Sequence, residues 1–368
     1  MFHRLFTNGP HSLGVRILVT GGAGFVGSHL CMALREQLSG AEVMALDNLK
    51  RRGSEFALSR LRSSGVVFLH GDVRVCEDIE AAGEVDLLIE CSAEPSVHAG
   101  YGGSPGYVVQ TNLGGLVNCL EHLRRRGGAL IFMSTSRVYP IASLRALPLV
   151  RMENRLALVS GANGAGWSEA GISERFPMEG SRSLYGATKL AAELLIDEYA
   201  ALYGLRATIN RCGVVAGPWQ MGKVDQGFVA LWMARHVYGG PLHYSGFDGH
   251  GLQVRDVLHV EDLADLVVEQ AGAMARYAGQ THNVGGGAAG SVSLRELTAL
   301  CTEISGRLMD IGSDPATRAA DIPHYISDCG VLLSHSHWRP RRPMTTIVND
   351  IHRWLVEERR WLEPAFRG

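Results

Sequence analysis

A tyrosine and a lysine that together can transfer a proton lie four residues apart in the stretch "SRSLYGATKLAAELLIDEYA". The composition of this stretch predicts a helix, and side chains four residues apart on a helix share one face. The ammonium of Lys189 would then lie one turn from the phenol of Tyr185 and lower its pKa. An acid–base pair is one interpretation of this spacing, and a surface tyrosine beside a surface lysine is the other. The surrounding motifs decide between them.

A threonine is predicted to join the pair. Thr135 lies just past the apolar run Leu130 to Met133, which predicts a buried strand. Ligands of open parallel sheets bind beyond the carboxyl ends of the strands, so this hydroxyl can meet the pair at one substrate alcohol. Tyr185 would take or give the proton, Lys189 would also hold a neighbouring ribose, and Thr135 would orient the alcohol. Taken alone, Thr135 is more typical of a turn residue.

A glycine-rich stretch, "VTGGAGFVGSHL", stands between the strand-like run Val15 to Thr20 and the helical pattern Phe25 to Leu38. Glycines at these places allow a tight turn, a close approach of the backbone to a pyrophosphate, and close packing of the helix on the strand. The context therefore favours a dinucleotide-binding loop over a merely structural turn. The glycines are Gly21, Gly24 and Gly27.

An acidic residue follows the second strand-like run, Glu42 to Leu46, twenty residues after the last of these glycines. At this place a carboxylate accepts hydrogen bonds from both ribose hydroxyls of a dinucleotide and repels a 2′-phosphate. Asp47 therefore favours NAD over NADP. The cationic residues nearby can instead pair with a phosphate, which keeps NADP open; they are Lys50, Arg51 and Arg52.

Further runs extend the alternation of strands and helices. Val66 to Leu69 and Leu87 to Glu90 predict two more strands, and Asn112 to Arg125 predicts a helix before the strand that ends near Thr135. Such alternation is typical of parallel sheets covered by helices on both faces. Asp72 comes after the third strand, where its carboxylate can hold an adenine amino group or cap a helix.

The predicted fold class is α/β, a Rossmann-type doubly wound parallel sheet with a smaller C-terminal α/β substrate-binding domain. After Ala207 the pattern loosens into glycine-rich loops and shorter elements, and a final helix is expected near Met344 to Leu362. The insertion Ile141 to Met178 is expected to be loop-rich and close to the site. The predicted units are a dinucleotide-binding domain at 15–215 with a return segment near 256–284, a substrate-binding domain at 216–255 and 285–362, and an N-terminal extension at 1–14.

The composition excludes several classes of partner and function. The chain has 368 residues, 46% hydrophobic and 20% charged, with a formal net charge of −2, which is typical of a globular protein with ample core. Without an excess of Lys and Arg, no nucleic-acid partner is expected. No apolar run approaches the ~18 residues of a membrane span, and no cluster has metal-ligand spacing, so neither a membrane nor a metal is expected. Seven scattered cysteines and a short, polar N-terminus predict a cytoplasmic enzyme.

Over Arg16 to Trp361 these motifs resemble the extended short-chain dehydrogenase/reductases of the sugar-nucleotide epimerase/dehydratase kind. The resemblance implies NAD as the cofactor and a nucleotide-sugar substrate, and it assigns the catalytic roles to Thr135, Tyr185 and Lys189. The residues that it implies in cofactor binding are Gly21, Gly24, Phe25, Val26, Gly27, Asp47, Asn48, Asp72, Val73, Asn112, Tyr185 and Lys189.

Within the family, "ECSAEPSV", "STSRVY", "GPWQMGKVDQG" and "QVRDVLHVEDL" look like the CDP-paratose 2-epimerase (CDP-tyvelose epimerase) branch. That likeness implies inversion at C2 of a CDP-linked deoxyhexose. It places Arg255 on the substrate diphosphate, where the alternative is a surface ion pair with Asp256 or Glu261. A guanidinium suits phosphate because its fork donates two parallel hydrogen bonds. The remaining residues expected on the substrate are Glu94, Ser136, Arg318 and Asp321, of which Glu94 can equally be a loop-side charge.

Two departures from the family pattern stand out. In the 4,6-dehydratases of the family an Asp-Glu pair follows the active-site threonine and drives the elimination of water. Here Ser136 and Arg137 follow Thr135, so dehydration is not expected. The second departure is Glu90, at a place where many members of the family have a histidine.

Several functions share these residues. The expected reaction is transient oxidation of a sugar carbon and return of the hydride to its other face. A 4-epimerase or another epimerase of a UDP- or GDP-sugar, a net NAD-dependent oxidoreductase and a non-catalytic dinucleotide-binding module stay as alternatives. The apolar face of Tyr185 to Tyr199 with Asn112 to Leu123 resembles the family's dimerising helices, so a homodimer or homotetramer is expected, although core packing gives the same pattern.

Overall fold

The computed structural model describes residues 14–101, 103–222 and 227–367. The predicted N-terminal extension therefore lies outside the described residues, apart from Gly14. Residues 223–226 of the loop "GPWQMGKVDQG" lie outside them as well.

The strands are short and spread over the whole described chain. In chain order they are β1 (Arg16–Thr20), β2 (Glu42–Asp47), β3 (Val67–His70), β4 (Leu87–Glu90), β5 (Ala129–Thr135), β6 (Leu149–Arg151), β7 (Leu156–Leu158), β8 (Trp167–Ser168), β9 (Gly171–Ile172), β10 (Arg206–Cys212), β11 (Val214–Ala216), β12 (Leu242–Ser245), β13 (Val254–His259), β14 (Gln280–Val284), β15 (Ser291–Ser293), β16 (Ile311–Asp314) and β17 (His324–Tyr325).

Helices alternate with the strands in the first half and dominate the last third. They are α1 (Phe25–Gln37), α2 (Ala57–Ser63), α3 (Cys76–Glu80), α4 (Gly106–Val109), α5 (Gly115–Arg126), α6 (Ile141–Arg145), α7 (Leu184–Tyr203), α8 (Phe228–Tyr238), α9 (Val260–Gly272), α10 (Met274–Tyr277), α11 (Leu294–Ser305), α12 (Gly330–His335), α13 (Met344–Glu357) and α14 (Arg359–Arg367).

The main sheet has seven parallel strands in the order β14-β10-β5-β4-β1-β2-β3. The chain starts near the middle of the sheet, moves to one edge through β2 and β3, and then crosses to the other side through β4 and β5. This reversal beside β1 is the point at which ligands bind in open α/β sheets. The sheet confirms the Rossmann-type doubly wound fold, and β14 adds an edge strand from late in the sequence.

The alternation of side chains on β1 shows why both faces are covered. Ile17 and Val19 point into a core with helices α1 and α9, whereas Leu18 points into a second core with α3, α5 and α7. All three side chains are fully buried. Each such burial contributes roughly 1.5–3 kcal/mol, so a strand that is apolar on both faces is stable only between two helical layers.

A third core lies outside the main sheet. It is built from α8, α11, α13 and α14, with Trp232, Leu297 and Ile351 among its buried residues. A small sheet adjoins it, in which β13 pairs with β11, β15 and β17. Because β13 carries Arg255, this small sheet places a predicted substrate residue opposite the main sheet.

Three local predictions need correction. Thr135 is the last residue of β5 rather than a residue beyond it, because Thr135 stays paired with Cys212 of β10. The predicted final helix ends at Glu357, where the next residue leaves the helical conformation with φ −95° and ψ 17°, and α14 follows separately. The helix predicted from Asn112 begins as a π-helical turn, Gln110–Gly114, before α5.

The insertion Ile141 to Met178 is less irregular than expected. It contains α6 and the two hairpins β6–β7 and β8–β9, and it packs around a small core of its own with Tyr139, Phe176 and Tyr325. The insertion does not line the cavity described below, but Arg145 donates hydrogen bonds to the carbonyl oxygens of Arg318 and Asp321. It therefore holds a segment that does line the cavity.

Candidate active site

The glycine loop has a geometry that other residues do not accept. Gly21 has a φ of +65°, and its carbonyl oxygen accepts a hydrogen bond of 3.0 Å from the amide of Gly24. A Cβ on Gly27 would lie 2.2 Å from the same oxygen. No side chain caps the N-terminus of α1, at Gly24. The loop and helix end thus fit the pyrophosphate of a dinucleotide.

Asp47 braces this loop from the end of β2. Its carboxylate accepts hydrogen bonds from the amides of Ala23 at 3.1 Å and Leu49 at 2.8 Å. Burial raises the pKa of the Asp47 carboxyl, although these hydrogen bonds oppose the shift. Asp47 is thus fixed beside the loop, at the place where the ribose of a bound dinucleotide would lie.

Asn48 and Asp72 are brought together beside Asp47. The side-chain amide of Asn48 donates to Asp72 at 2.8 Å, and Arg74 donates two further hydrogen bonds to the same carboxylate. The Arg74 guanidinium holds the pKa of Asp72 well below its usual range. Asp72 does not cap α3, whose N-cap is Val75. A charged carboxylate at this edge is consistent with the adenine contact that the sequence predicts.

Thr135, Tyr185 and Lys189 line one cavity of about 800 Å³. Thr135 ends β5, while Tyr185 and Lys189 belong to the first two turns of α7. Helix α7 starts at a Ser183 cap, whose hydroxyl accepts a hydrogen bond of 3.2 Å from the amide of Gly186.

Gly186 allows α7 to approach the end of β5. A Cβ on this residue would lie 2.1 Å from the carbonyl oxygen of Arg137, so any other residue here would push the helix away from the sheet. The close approach brings Tyr185 next to Thr135. In the sequence pattern Y-G-x-x-K, the glycine is therefore required for the close packing of α7 against the end of β5.

The pKa of Tyr185 differs from the expectation. Burial raises the pKa of this phenol, and the opposing effects of the Lys189 ammonium and the Thr135 hydroxyl do not cancel the increase. The sequence predicted a lowered pKa because the spacing reveals the nearby ammonium but not the desolvation of the phenol in the folded protein. The ammonium acts in the predicted direction, yet the net shift is upward.

Asn112 links the cavity wall to α7. Its side chain accepts a hydrogen bond from the amide of Glu94 at 2.8 Å and donates to the hydroxyl of Thr188 at 3.2 Å. The π-helical turn that holds Asn112 is a device often found at functional sites. Glu94 lies between two residues of the cavity wall, Ala93 and Pro95, without lining the cavity itself. Val73 is buried against Gly115 at the start of α5.

Four of the five predicted substrate residues contact the same cavity. Ser136, Arg255, Arg318 and Asp321 all line it. Arg255 donates hydrogen bonds to the carbonyl oxygens of Val254 and Ile322 and makes no ion pair with the carboxylates that the sequence offered as alternatives. Burial, helped by the nearby Arg137, lowers the pKa of Arg255 to about 9. A partly buried guanidinium that makes no ion pair is suited to bind an anionic ligand.

The cavity also contains polar residues that the sequence analysis did not assign. Arg235, His243 and Asp314 come from α8, β12 and β16, which only the fold brings together, whereas Gln220 and Gln253 belong to stretches quoted above for their resemblance to the family. Arg137 was noted as a departure from the dehydratase pattern, and its position in the wall gives it a place beside Tyr185. The unassigned polar lining residues include Arg137, Gln220, Arg235, His243, Gln253 and Asp314.

Residues 14–101, 103–222 and 227–367 contain no group of three or more His, Cys, Asp or Glu side chains arranged to hold a metal ion. In the same part of the chain, no helix combines the length and the apolar character needed to cross a bilayer.

The fold is α/β, and its glycine loop and cavity fit a dinucleotide and a second ligand. Residues 17–285 match the NAD dependent epimerase/dehydratase family. The chain belongs to this family, and NAD is its cofactor.

Individual relatives cover almost the whole chain. The CDP-paratose 2-epimerase of Salmonella typhi is 28% identical over 358 residues, 92% of this chain and 99% of the relative. The dTDP-glucose 4,6-dehydratase of Streptomyces antibioticus is also 28% identical, over 95% of each chain. The structure of the UDP-glucose 4-epimerase of Thermus thermophilus in complex with NAD aligns at 28% identity with a TM-score of 0.72, covering 96% of this chain and 99% of that chain. Epimerases and dehydratases of nucleotide-linked sugars are therefore both close relatives.

Proposed function

We propose that this enzyme epimerises a nucleotide-linked sugar, and that the sugar is a CDP-linked deoxyhexose inverted at C2. The main support is the continuity of the cavity, in which Tyr185 and Thr135 share one space with Arg255 and Arg318. One end offers a proton acceptor for an alcohol, and the other offers guanidinium groups for a diphosphate. A nucleotide sugar has both groups, separated by its sugar ring.

Three residues have separate roles in the proposed reaction. Tyr185 removes the proton of the sugar hydroxyl and gives it back, Thr135 orients this hydroxyl, and Lys189 favours the phenolate. NAD supplies the acceptor of the hydride that leaves the sugar carbon and the donor of the hydride that returns. The oxidised sugar would turn within this cavity, whose volume without ligands is about 800 Å³, before the hydride and the proton are returned. Since the cofactor ends as it began, it can stay bound.

The residues after Thr135 favour epimerisation over dehydration. Elimination of water needs an acid and a base near the sugar, and the dehydratase pattern has an Asp-Glu pair here. In this chain Ser136 and Arg137 line the wall at that point. Within the described lining, the carboxylates are Asp314 and Asp321; neither follows Thr135 in the chain, and Asp321 is next to Ala320, whose carbonyl oxygen accepts a hydrogen bond from Arg137. The cavity therefore lacks the pair in the place where elimination would need it.

The choice of C2 and of cytidine rests on relatedness. A CDP-paratose 2-epimerase is among the relatives that match nearly end to end. The sequence stretches that resemble this branch contain cavity residues from both sides, among them Ser136, Gln220 and Arg255. The same catalytic residues would serve a 4-epimerase of a UDP-sugar, so the nucleotide and the carbon are the parts of the proposal that need direct measurement.

The proposal also includes the oligomeric state of the enzyme and its cellular compartment. Leu194, Leu202 and Tyr203 of α7 are 61%, 69% and 55% exposed in the single chain. Exposed apolar side chains on this helix are suited to contact a second copy of the chain, and we assign a homodimer or homotetramer that uses α7. All seven cysteines are free thiols, in keeping with the cytoplasm.

A substrate panel tests this function. The purified enzyme is incubated with CDP-, dTDP-, UDP- and GDP-linked hexoses and deoxyhexoses, and the products are identified by NMR. We expect inversion at C2 of a CDP-linked deoxyhexose, without loss of water. Inversion at C4 of a UDP-sugar would contradict the choice of carbon and nucleotide. A 4-keto-6-deoxy product would contradict epimerisation altogether.

A further inference from the structure

The ammonium of Lys189 has a buried carboxylate partner. Its Nζ lies 3.3 Å from Oε2 of Glu90, and both side chains are only 2% exposed. On another side, the ammonium lies 4.4 Å from the centre of the Phe132 ring. Glu90 ends β4, and Lys189 lies on α7, so the pair joins the sheet to the helix that carries Tyr185.

A lysine in such a place would not keep its charge alone. Transfer of an ammonium from water to a dry interior disfavours the charged form and lowers the pKa of lysine. The ring face of Phe132 contributes a weaker attraction than a carboxylate. The proposed role of Lys189 nevertheless requires a cation, because only an ammonium favours the phenolate of Tyr185.

We propose that Glu90 is a positioning residue that keeps Lys189 protonated and holds its ammonium beneath Tyr185. The carboxylate compensates the buried positive charge, and its hydrogen bond fixes the end of a flexible side chain. Glu90 does not face the substrate, since it is absent from the described lining of the cavity. Its effect on the reaction therefore passes through Lys189.

The other titratable groups around the pair do not replace this carboxylate. Burial raises the pKa of every neighbouring thiol, so these thiols are neutral near pH 7 and provide no counter-ion. Arg137 is a cation that lowers the pKa of Tyr185, and it provides no counter-ion for Lys189. The surrounding groups are Cys91 next to β4, Cys119 of α5, Arg137 after β5, Tyr185 of α7 and Cys212 of β10.

The hydrogen bonds of Glu90 support the same assignment. Burial raises the pKa of the Glu90 carboxyl, while Lys189 and both the amide and the hydroxyl of Ser92 act in the opposite direction. Glu90 in turn raises the pKa of Lys189 against the effect of burial. Two buried charges that support each other are stable together and costly apart.

The small number of lysines allows the charge of Lys189 to be measured directly. The whole chain has three lysines, Lys50, Lys189 and Lys223. Labelling with lysine enriched in ¹³C at the ε-carbon therefore gives three NMR signals, which the variants Lys50→Arg and Lys223→Arg assign. The ε-carbon shift reports the charge of each lysine as the pH is raised from 6 to 10, in the enzyme with the cofactor that it carries on purification.

In the wild-type protein, the Lys189 signal is expected to keep the position of the charged form throughout. In Glu90→Gln, which preserves the shape of the side chain, the midpoint of its titration should fall by about two pH units or more, because the largest effect that opposes burial is removed and only the smaller effect of Tyr185 and its neighbours is left. Glu84→Gln, at an exposed carboxylate before β4, is the matched control and should leave the signal unchanged. A Lys189 titration that is the same in Glu90→Gln and in the wild type would overturn the proposal.

A second measurement keeps the test decisive if Glu90→Gln folds poorly. Urea midpoints are compared for Glu90→Gln, for Lys189→Met and for the double variant. Because each single change leaves one buried charge unpaired, the double variant should be more stable than the sum of the two losses predicts. Strictly additive losses would show that the two side chains do not support each other, contrary to the inference.

This inference rests on the proposed acid–base role of Tyr185 and Lys189, but its test does not use turnover. A shifted lysine titration without any epimerase activity would uphold the pair and refute the proposed function. Epimerase activity together with an unshifted Lys189 titration would support the proposed function and refute the role of Glu90. If Glu90→Asp restored the wild-type titration of Lys189, a carboxylate would be required at this position, but not the full length of the glutamate side chain.

Discussion

Replacement of Tyr185 by phenylalanine is expected to lower kcat by about 10²- to 10⁴-fold, the usual contribution of a positioned acid–base group. The phenol lies in the cavity with Thr135 and Lys189, and Phe keeps the ring while it removes the proton acceptor. Affinity for the nucleotide sugar should change little, since the guanidinium groups of the opposite wall are intact. Initial rates with the substrate found in the panel, together with calorimetric binding, separate the two quantities.

The matched control for this variant is Tyr199→Phe. Tyr199 lies on the same helix, α7, but its hydroxyl donates to Glu121 on α5, away from the cavity. The same loss of a hydroxyl should therefore leave kcat within about twofold of the wild type. If Tyr185→Phe and Tyr199→Phe had equal kcat, Tyr185 would not be the acid–base group.

Replacement of Arg211 by methionine is expected to destabilise the fold strongly. The guanidinium of Arg211 pairs with Glu193 at 2.7 Å, and the two side chains are 11% and 4% exposed. Glu193 also accepts a hydrogen bond from Ser134, so this network ties β10, β5 and α7 together beneath the catalytic residues. A buried carboxylate left without its partner costs about 3–5 kcal/mol, and urea denaturation should show a fall of this size in the free energy of unfolding.

Arg359→Met provides the comparison on the surface. Arg359 pairs with Glu363 at 2.9 Å on α14, and its side chain is 56% exposed. Water already solvates both groups there, so the loss of the ion pair should have a much smaller effect. A free energy of unfolding that fell equally in Arg211→Met and Arg359→Met would mean that the buried network does not stabilise the sheet.

Much of the fold could be predicted because its signals are local. The strand β1 is apolar at every position from Ile17 to Val19, which only a sheet covered on both faces accommodates. The glycine loop, Asp47 and the Tyr185–Lys189 spacing each lie within one turn or one strand end. Such features depend on a few neighbouring residues and not on the tertiary arrangement.

The parts that could not be predicted depend on pairing across the chain. Glu90 and Lys189 are 99 residues apart and meet only because α7 packs on β5, the neighbour of β4 in the main sheet. The raised pKa of Tyr185 has the same origin, since the sequence shows the ammonium four residues away but not the burial of the phenol. Arg235 and His243 join the cavity through the arrangement of α8 and β12, for which the sequence contains no motif.

Transfer of a hydride out of and back into the same sugar carbon is the central claim, and heavy water tests it most directly. The enzyme, as purified and without added NAD, is incubated in D₂O with the nucleotide sugar identified in the panel, and the product is examined by NMR. The account predicts inversion with no deuterium at the inverted carbon, because the hydride returns from the bound cofactor and does not exchange with solvent. Deuterium at that carbon would contradict it and indicate inversion by proton abstraction.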